Sequence, residues 1–142
     1  MRTYNVQTVE IECAAERVFD YLGDPANLPE WTSAFKAVSG RRATLATPEG
    51  SVEIDLEVRA SRPHGTIDWL MTFPGGSVGK ALSRVIDAGA DRSIYCFILT
   101  SPPVPLELLE GTLDEQSKIL RGELEGLKRI LAGIACTRAV RR

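Results

Sequence analysis

The longest periodic segment of the sequence, residues 106–134, carries leucine or isoleucine at helical spacing. With an advance of about 100° per residue, these side chains fall within about 40° of Leu120, which is the stripe of an amphipathic helix. Charged residues at i,i+4 spacing, such as Asp114 and Lys118, occupy the opposite face. We therefore predict a long helix that another element must cover on one side. The apolar stripe consists of Leu106, Leu109, Leu113, Leu120, Leu124, Leu127, Leu131 and Ile134.

Two polar residues, Gln116 and Ser117, interrupt this stripe. A buried amide without a partner costs about 1 to 3 kcal/mol, so such a residue persists where a protein group, a water or a ligand satisfies it. One interpretation is that Gln116 bonds to a neighbouring sheet or lies at the open end of a groove. The other is that Gln116 and Ser117 orient a ligand in a mostly apolar pocket.

The composition is that of one globular domain spanning residues 1–142, with 44% hydrophobic and 25% charged residues. A formal net charge of -2 argues against a dedicated nucleic-acid-binding protein. No apolar run is long enough for stable membrane insertion, and the N-terminus lacks a signal-peptide pattern, so we expect a cytoplasmic location. Cys13, Cys96 and Cys136 are widely spaced, which favours reduced thiols over a disulfide framework or a zinc site.

The first 31 residues predict a strand and two short helices. Residues 3–12 alternate in a way typical of a half-buried strand, with Gln7 on the inner side. Residues 14–22 have a helical period and end at Gly-Asp-Pro, and residues 27–31 form a second short helix that includes Trp31.

Residues 35–100 predict consecutive antiparallel strands separated by turns rich in glycine and proline. Residues 51–59 alternate apolar side chains on one face with charged side chains on the other. Trp69 and Met71 are predicted to point inward from the next strand. The following strand turns small side chains inward, among them Ser83, so that its cover over the helix does not close tightly.

The last strand before the long helix permits two registers. If the preceding turn spans residues 88–91, Val85 pairs with Ile94 and Ser83 pairs with Cys96. The outward set of this strand then forms an apolar row suited to a homodimer interface or to covering by another element. The alternative register exchanges the inward and outward sets. In the first register, Ile94, Cys96 and Ile98 face inward, whereas Tyr95, Phe97 and Leu99 face outward.

Several segments carry a resemblance to a known superfamily: Val9-Glu10-Ile11, residues 15–22 (AERVFDYL), residues 24–31 (DPANLPEW), residues 65–69 (GTIDW) and the proline-led terminal helix. Together with the order of elements they resemble the START-related and birch-pollen-allergen-like superfamily, SRPBCC, in its polyketide cyclase/dehydrase branch. The resemblance implies an α+β helix-grip fold. In that fold a curved antiparallel sheet of about seven strands wraps around the C-terminal helix, with two short helices between strands 1 and 2.

The resemblance also implies a cavity between helix and sheet that accepts a hydrophobic or amphipathic small molecule, such as a lipid, a polyketide or an aromatic compound. The alternative is a polyketide cyclase or dehydratase that uses the same cavity. The sequence itself shows no convincing catalytic set, because strand alternation turns the carboxylates outward and the single histidine, His64, lies in a predicted turn. We predict no cofactor and no metal site.

The predicted ligand contacts combine polar and apolar residues of the cavity that the resemblance implies. Trp69 and Met71 are alternatively ordinary core residues, and His64 is alternatively only exposed. Tyr21 either offers a hydroxyl near the cavity or lies on the helix surface. The predicted set is Gln7, His64, Trp69, Met71, Ser83, Gln116, Ser117 and Leu120.

Overall fold

The structure is a computed structural model that describes residues 4–47, 50–100 and 106–133. Short polar-apolar alternation produces the strands, and helical periodicity produces the helices, in the order that the sequence predicts. The elements are β1 (Tyr4–Ile11), α1 (Ala15–Gly23), a 3-10 turn (Pro25–Asn27), α2 (Leu28–Trp31), β2 (Phe35–Ser39), β3 (Arg42–Thr47), β4 (Gly50–Ser61), β5 (Thr66–Thr72), β6 (Val78–Asp87), β7 (Ser93–Thr100) and α3 (Leu106–Gly133).

The strands of the described chain form one sheet in the order β1-β7-β6-β5-β4-β3-β2. Each neighbouring pair is antiparallel. The sheet is curved, and α3 packs against its edge strand β1 and against α2. The predicted α+β helix-grip architecture is therefore confirmed, and the face of the sheet turned toward the helices is called the inner face below.

Strand β1 has the alternation that the sequence predicts. Val9 and Ile11 are buried on the inner face, and Gln7 is half-buried beside them. Tyr4 and Val6 are exposed on the outer face. The inner face of β1 thus changes from polar to apolar along the length of the strand.

Helix α3 buries the apolar stripe where its side chains are described. Leu120 is 4% exposed, and Leu124, Leu127 and Leu131 are fully buried. Neither α3 nor any other helix within the described ranges has the length and apolar character needed to cross a membrane. Four stripe residues lie outside this description, namely Ile134 and the side chains of Leu106, Leu109 and Leu113.

The register of β7 is the alternative one, and the register that the sequence analysis preferred is wrong. Val85 pairs with Tyr95 rather than with Ile94. The turn holds residues 88–92, one more than expected, and it includes Asp91 in a left-handed conformation with φ 54°. Since side chains alternate along a strand, this single extra residue exchanges the two faces of β7.

The exchanged faces change what the strand contributes to the interior. Tyr95 and Phe97 are buried on the inner face, and Leu99 packs against the same core. Ile94, Cys96 and Ile98 lie on the outer face and not inside. The apolar outward row of Tyr95, Phe97 and Leu99 does not exist, so it cannot be a dimer interface.

Two cysteines are described, and they differ. Cys13 is fully buried and disulfide-bonded, whereas Cys96 is a free and half-buried thiol. The expectation of three reduced thiols is therefore wrong at Cys13.

Candidate ligand-binding site

Two aromatic rings meet above the small residues of β6. Trp69 of β5 pairs with Ala81, and Phe97 of β7 pairs with Ser83. Because Ala81 and Ser83 are small, the rings from the flanking strands stack above them, with centroids 5.9 Å apart and an interplanar angle of 27°. The rings thus fill the volume above Ala81 and Ser83 that the sequence analysis expected to remain open.

Trp31 and Tyr95 complete an aromatic cluster around Phe97. The Trp31 ring of α2 lies 6.4 Å from Phe97 and 6.5 Å from Trp69, measured between ring centroids. The Tyr95 ring lies 6.2 Å from Phe97 in an edge-to-face arrangement. The aromatic cluster of Trp31, Trp69, Tyr95 and Phe97 therefore joins α2 to the inner face of the sheet.

The aromatic cluster contains polar atoms that the surrounding protein does not satisfy. Trp31 Nε1, Trp69 Nε1 and the Tyr95 hydroxyl are buried without a hydrogen-bond partner among the described residues. Burial raises the pKa of the Tyr95 hydroxyl; the nearby Ser83 hydroxyl, which donates its own hydrogen bond to Ile67 and is not positioned to bond to Tyr95, lowers that pKa by a smaller amount, so the phenol keeps its proton. The cluster thus offers N–H and O–H donors in apolar surroundings.

The polar break in the helical stripe meets polar residues of β1. Gln7 Nε2 donates to the Ser117 carbonyl oxygen at 2.8 Å and to Asn5 Oδ1 at 2.8 Å. Gln7 Oε1 is buried and has no partner in the described part of the chain. One helical turn later, Arg121 donates to the Thr8 carbonyl oxygen at 3.0 Å. The structure therefore joins Gln7 and Ser117, through the backbone carbonyl of Ser117, and leaves Gln116 half-buried beside them.

The other predicted contacts occupy different environments. Ser83 is buried, and its hydroxyl donates to the Ile67 carbonyl oxygen at 2.6 Å. Met71 is half-buried, and Leu120 is packed in the core. His64 is exposed in the turn between β4 and β5, with Nδ1 2.8 Å from Ser61 Oγ, and so does not lie on the inner face.

A groove of about 360 Å³ lies between α2 and α3. Its wall includes Trp31, which also belongs to the aromatic cluster, and Gly122 and Gly126 of α3. A Cβ atom built on Gly122 would meet no heavy atom within 4 Å, so the helix borders open space here. The groove therefore reaches the aromatic cluster at Trp31.

Two carboxylates line the same groove and are both hydrogen-bonded. Glu123 Oε2 accepts from the Ser33 backbone N–H at 2.6 Å and from its hydroxyl at 2.7 Å, which fastens the segment after α2 to α3. Glu30 Oε1 accepts from the Tyr21 hydroxyl at 2.7 Å. Burial and then Glu30 raise the pKa of Tyr21, so this phenol is held protonated at the groove's edge. Within the described ranges, no three His, Cys, Asp or Glu residues are grouped closely enough to hold a metal ion.

Residues 5–131 match the protein family described as "Polyketide cyclase / dehydrase and lipid transport". The chain belongs to this family. The resemblance to the START-related superfamily and its polyketide cyclase/dehydrase branch, noted from the sequence, is thereby confirmed. No curated protein matches the sequence significantly.

Several solved structures share the fold of this chain. A START superfamily protein from Mycobacterium smegmatis is 18% identical with a TM-score of 0.66, and the match covers 92% of this chain and 99% of that one. A Deinococcus radiodurans protein is 24% identical with a TM-score of 0.67, covering 89% and 95%. BexL, a di-domain ARO/CYC from the BE-7585A biosynthetic pathway, is 16% identical with a TM-score of 0.67, covering 91% and 46%. At these identities the likeness establishes the fold alone.

Tyr95, Phe97 and the Trp31 groove were not predicted as parts of the site from the sequence. The small inward residues of β6 carried a usable signal for the first two. Because an interior is close-packed, a strand lined with Gly, Ala and Ser needs large side chains on its neighbours. That requirement favours the register that turns Tyr95 and Phe97 inward. The groove had no comparable signal, since it forms between segments far apart in the chain.

Proposed function

We propose that this member of the polyketide cyclase/dehydrase family binds a hydrophobic or amphipathic small molecule between α3 and the inner face of the sheet. The observation that carries the proposal is the aromatic cluster, whose buried N–H and O–H groups have no partner among the described residues. Ligand sites of this kind are mostly apolar, with a few polar groups that fix orientation. The lipid transport and polyketide chemistry named in the family description support the same class of ligand.

The burial of the inner face supports a site that extends beyond the aromatic cluster. Met71, Phe73 and Leu99 are only half-buried although they pack against the core. Gln7, Gln116 and the Ser117 carbonyl lie at the polar edge of the same face. In this proposal Trp69, Met71, Gln7, Gln116 and Ser117 contact the ligand. Ser83, Leu120 and His64 contribute less to ligand binding in this proposal. The Ser83 hydroxyl already donates to the Ile67 carbonyl oxygen, Leu120 is packed in the core, and His64 is exposed in a turn.

Native mass spectrometry of the purified protein, followed by organic extraction, tests the proposal directly. We expect a bound small molecule that is released on denaturation, and a rise in melting temperature when the stripped protein is given it back. A protein of similar size, purified in parallel, controls for carry-over. Absence of any bound mass, together with no thermal stabilisation by a panel of lipids and aromatic compounds, would falsify the proposal.

The second candidate is a cyclase or dehydratase that acts on a polyketide-like substrate at the same place. Tyr95 favours it, because a buried phenol that keeps its proton can donate a hydrogen bond to a substrate carbonyl. The described interior supplies no carboxylate or imidazole as the matching base, so binding is the better supported function. Product formation from a poly-β-ketone substrate, lost in Tyr95→Phe, is the result that would favour the enzyme. Turnover that survives combined mutation of His64, Gln116 and Tyr21 would exclude those three from catalysis.

The proposed location is the cytoplasm, which rests on the sequence expectation alone. The disulfide bond at Cys13 counts against it, because such bonds are rare in the cytosol. Cell fractionation with an antibody against the protein shows whether it is in the cytoplasm or in an oxidising compartment, where disulfide bonds persist.

A further inference from the structure

We infer that the outer face of the sheet, which is turned away from the helices, forms the interface of a weak homodimer. In this dimer β7 of one copy lies over β7 of the other, and β6 lies over the partner's β1. The inference is independent of the proposed function, because that function concerns the inner face. It is carried by the apolar side chains of the outer face, by the size and charges of that face, and by the register of β1, β7 and β6.

The outer face of the sheet is charged in one part and apolar in another. The outer positions of β4 are Glu53, Asp55, Glu57 and Arg59, as in an antiparallel sheet that faces water. On β1, β7 and β6 the outer positions are mostly apolar. Of the five large hydrophobic side chains that are exposed in the described residues, four lie on β1 and β6. The outer patch consists of Tyr4, Val6, Val78, Leu82, Ile86, Ile94, Cys96 and Ile98.

Strand pairing joins the side chains of the outer patch. Ile98 pairs with Val6 of β1 and with Leu82 of β6. Residues paired across neighbouring strands lie on the same face and contact each other. Ile98 and Leu82 are half-buried, yet neither belongs to the hydrophobic core or packs against it. The central row, which we define as Val6, Ile98 and Leu82, therefore has no cover among the described residues.

The size of the outer patch fits a weak, reversible interface. Strands lie about 4.8 Å apart and rise about 3.3 Å per residue, so three strands of about eight residues cover about 400 Å². The largest apolar patch on a typical monomer measures about 300 to 600 Å² and is often functional. Stable interfaces bury about 800 Å² per partner. We therefore expect a dimer that dissociates at micromolar concentrations.

The central row is complementary to itself when the symmetry axis follows β7. A twofold axis parallel to the strands and above β7 places each residue of β6 over the partner's β1 residue of the same row. Leu82 then lies over the partner's Val6, and Ile98 lies over the partner's Ile98. Face-to-face sheets with nearly aligned strands pack about 10 Å apart, with their side chains interdigitated. The central row is thus buried against its own copy.

Two cations beside the central row lack a partner within one copy. Lys80 and Arg84 flank Leu82 on β6, and both are exposed. Neither makes an ion pair among the described residues. On the charged part of the same face, by contrast, Arg42 bonds to Asp55 at 2.7 Å. The two cations of β6 are therefore available to a second molecule.

The charges distinguish between two possible symmetry axes. With the axis along β7, Arg84 lies over the partner's Thr8, about 7 Å along the strand from the partner's Glu10. Glu10 pairs with Arg92 of its own copy through Oε2, which leaves the other carboxylate oxygen for Arg84. With an axis perpendicular to the strands through the central row, Arg84 would lie over the partner's Lys80. Complementary charges fix the register of an interface and like charges oppose it, so the axis along β7 is favoured.

Sedimentation velocity from low micromolar to submillimolar concentration tests the dimer. We expect the unmutated protein to change reversibly from monomer to dimer over this range. Val6→Asp puts a carboxylate into the central row and should weaken the dimer at least about 10-fold. Ile119→Asp is the matched control, because Val6 and Ile119 are each 49% exposed and Ile119 lies on α3. This control should dimerise like the unmutated protein.

Charge reversal tests the symmetry axis. Arg84→Glu places a carboxylate near the partner's Glu10 and should weaken the dimer about 3- to 10-fold. Lys36→Glu makes the same change in net charge at an exposed position of β2, outside the outer patch, and should leave the dimer unchanged. A tighter dimer in Arg84→Glu would mean that Arg84 faces the partner's Lys80, which overturns the proposed arrangement.

A monomer at every concentration, or a dimer equally strong in Val6→Asp, overturns the inference. So does a monomer that binds vesicles of phosphatidylcholine and phosphatidylglycerol and loses this binding in Val6→Asp, because the outer patch would then face a membrane. The unmutated protein and Arg84→Glu give the answer even if Val6→Asp fails to fold. None of these outcomes changes the proposed function, since ligand binding is measured separately at the inner face.

Discussion

The described side chains of α3 make two different contacts with the rest of the protein. From Leu120 to Leu131 the helix buries a dry leucine stripe, whereas at Ser117 it accepts a hydrogen bond from Gln7. The inner face of β1 changes in the same sense, from Gln7 to the buried Val9. Strand and helix therefore change from polar to apolar at the same level. If the polar residues of α3 were only a local irregularity, β1 would not place polar residues opposite them. We therefore interpret the leucine stripe as packed core and the polar contact as the edge of the proposed site.

The largest expected effect on stability is in the buried leucine stripe of α3, from Leu120 to Leu131. Leu124→Ala removes a fully buried side chain and should lower the free energy of unfolding by about 2 to 5 kcal/mol, measured by urea denaturation. Ile119→Ala, at a position 49% exposed on the same helix, should change it by less than about 0.5 kcal/mol. Leu120→Ala tests where the buried stripe ends. A loss of unfolding free energy well below that of Leu124→Ala would mean that Leu120 already borders open volume.

A smaller loss of stability is expected at the polar contact between Gln7 of β1 and Ser117 of α3. Gln7→Ala removes the hydrogen bonds to the Ser117 carbonyl and to Asn5, and should cost about 1 to 2 kcal/mol of unfolding free energy. Thr8→Ala changes the neighbouring exposed side chain and serves as the control in the same thermal melt. Equal stability of the Gln7 and Thr8 variants would show that the polar contact does not hold the helix against β1.

The alkaline stability of the protein tests the aromatic cluster. Burial raises the pKa of Tyr95, so the folded state holds a proton that the unfolded chain releases above about pH 10. The Tyr95 contribution is therefore complete below pH 10 and declines as the pH rises, by about 1 kcal/mol at pH 11. We expect the loss between pH 9 and pH 11 to be smaller in Tyr95→Phe than in the unmutated protein. Identical pH profiles would mean that water reaches the Tyr95 hydroxyl.

The smallest effect on stability, with a loss of binding, is expected at Gln116. Gln116→Leu makes the stripe continuous, so the unfolding free energy should hold or rise slightly while affinity for the extracted ligand falls. Lys118→Leu places the same side chain on the exposed face and should leave binding unchanged. Affinity that is the same in both variants removes Gln116 from the site.

Local pattern was enough for most of the architecture. Alternation assigned the inner residues of β1 and of β4 to β6, and helical spacing assigned the buried leucines of α3. These assignments succeeded because each depends on a period that a dozen neighbouring residues repeat. The predicted register of β7 was wrong because it depends on the length of one turn, which is one residue longer than expected and which no periodicity reveals.

The candidate site also has one part that could be predicted from the sequence and one part that could not. The break at Gln116 and Ser117 was visible in the sequence, and the structure provides its partner in Gln7. The aromatic cluster was not visible, because Trp31, Trp69 and Phe97 are distant in the chain and converge only when α2 folds onto the sheet.

By itself the sequence determined which elements form, in what order, and which helix face is apolar, because these properties are local and repeated. Only the tertiary structure decided which face of β7 is inside, which rings stack over the small residues of β6, and where Trp31 meets a groove. Those outcomes depend on packing between distant segments, where a shift of one residue changes every contact.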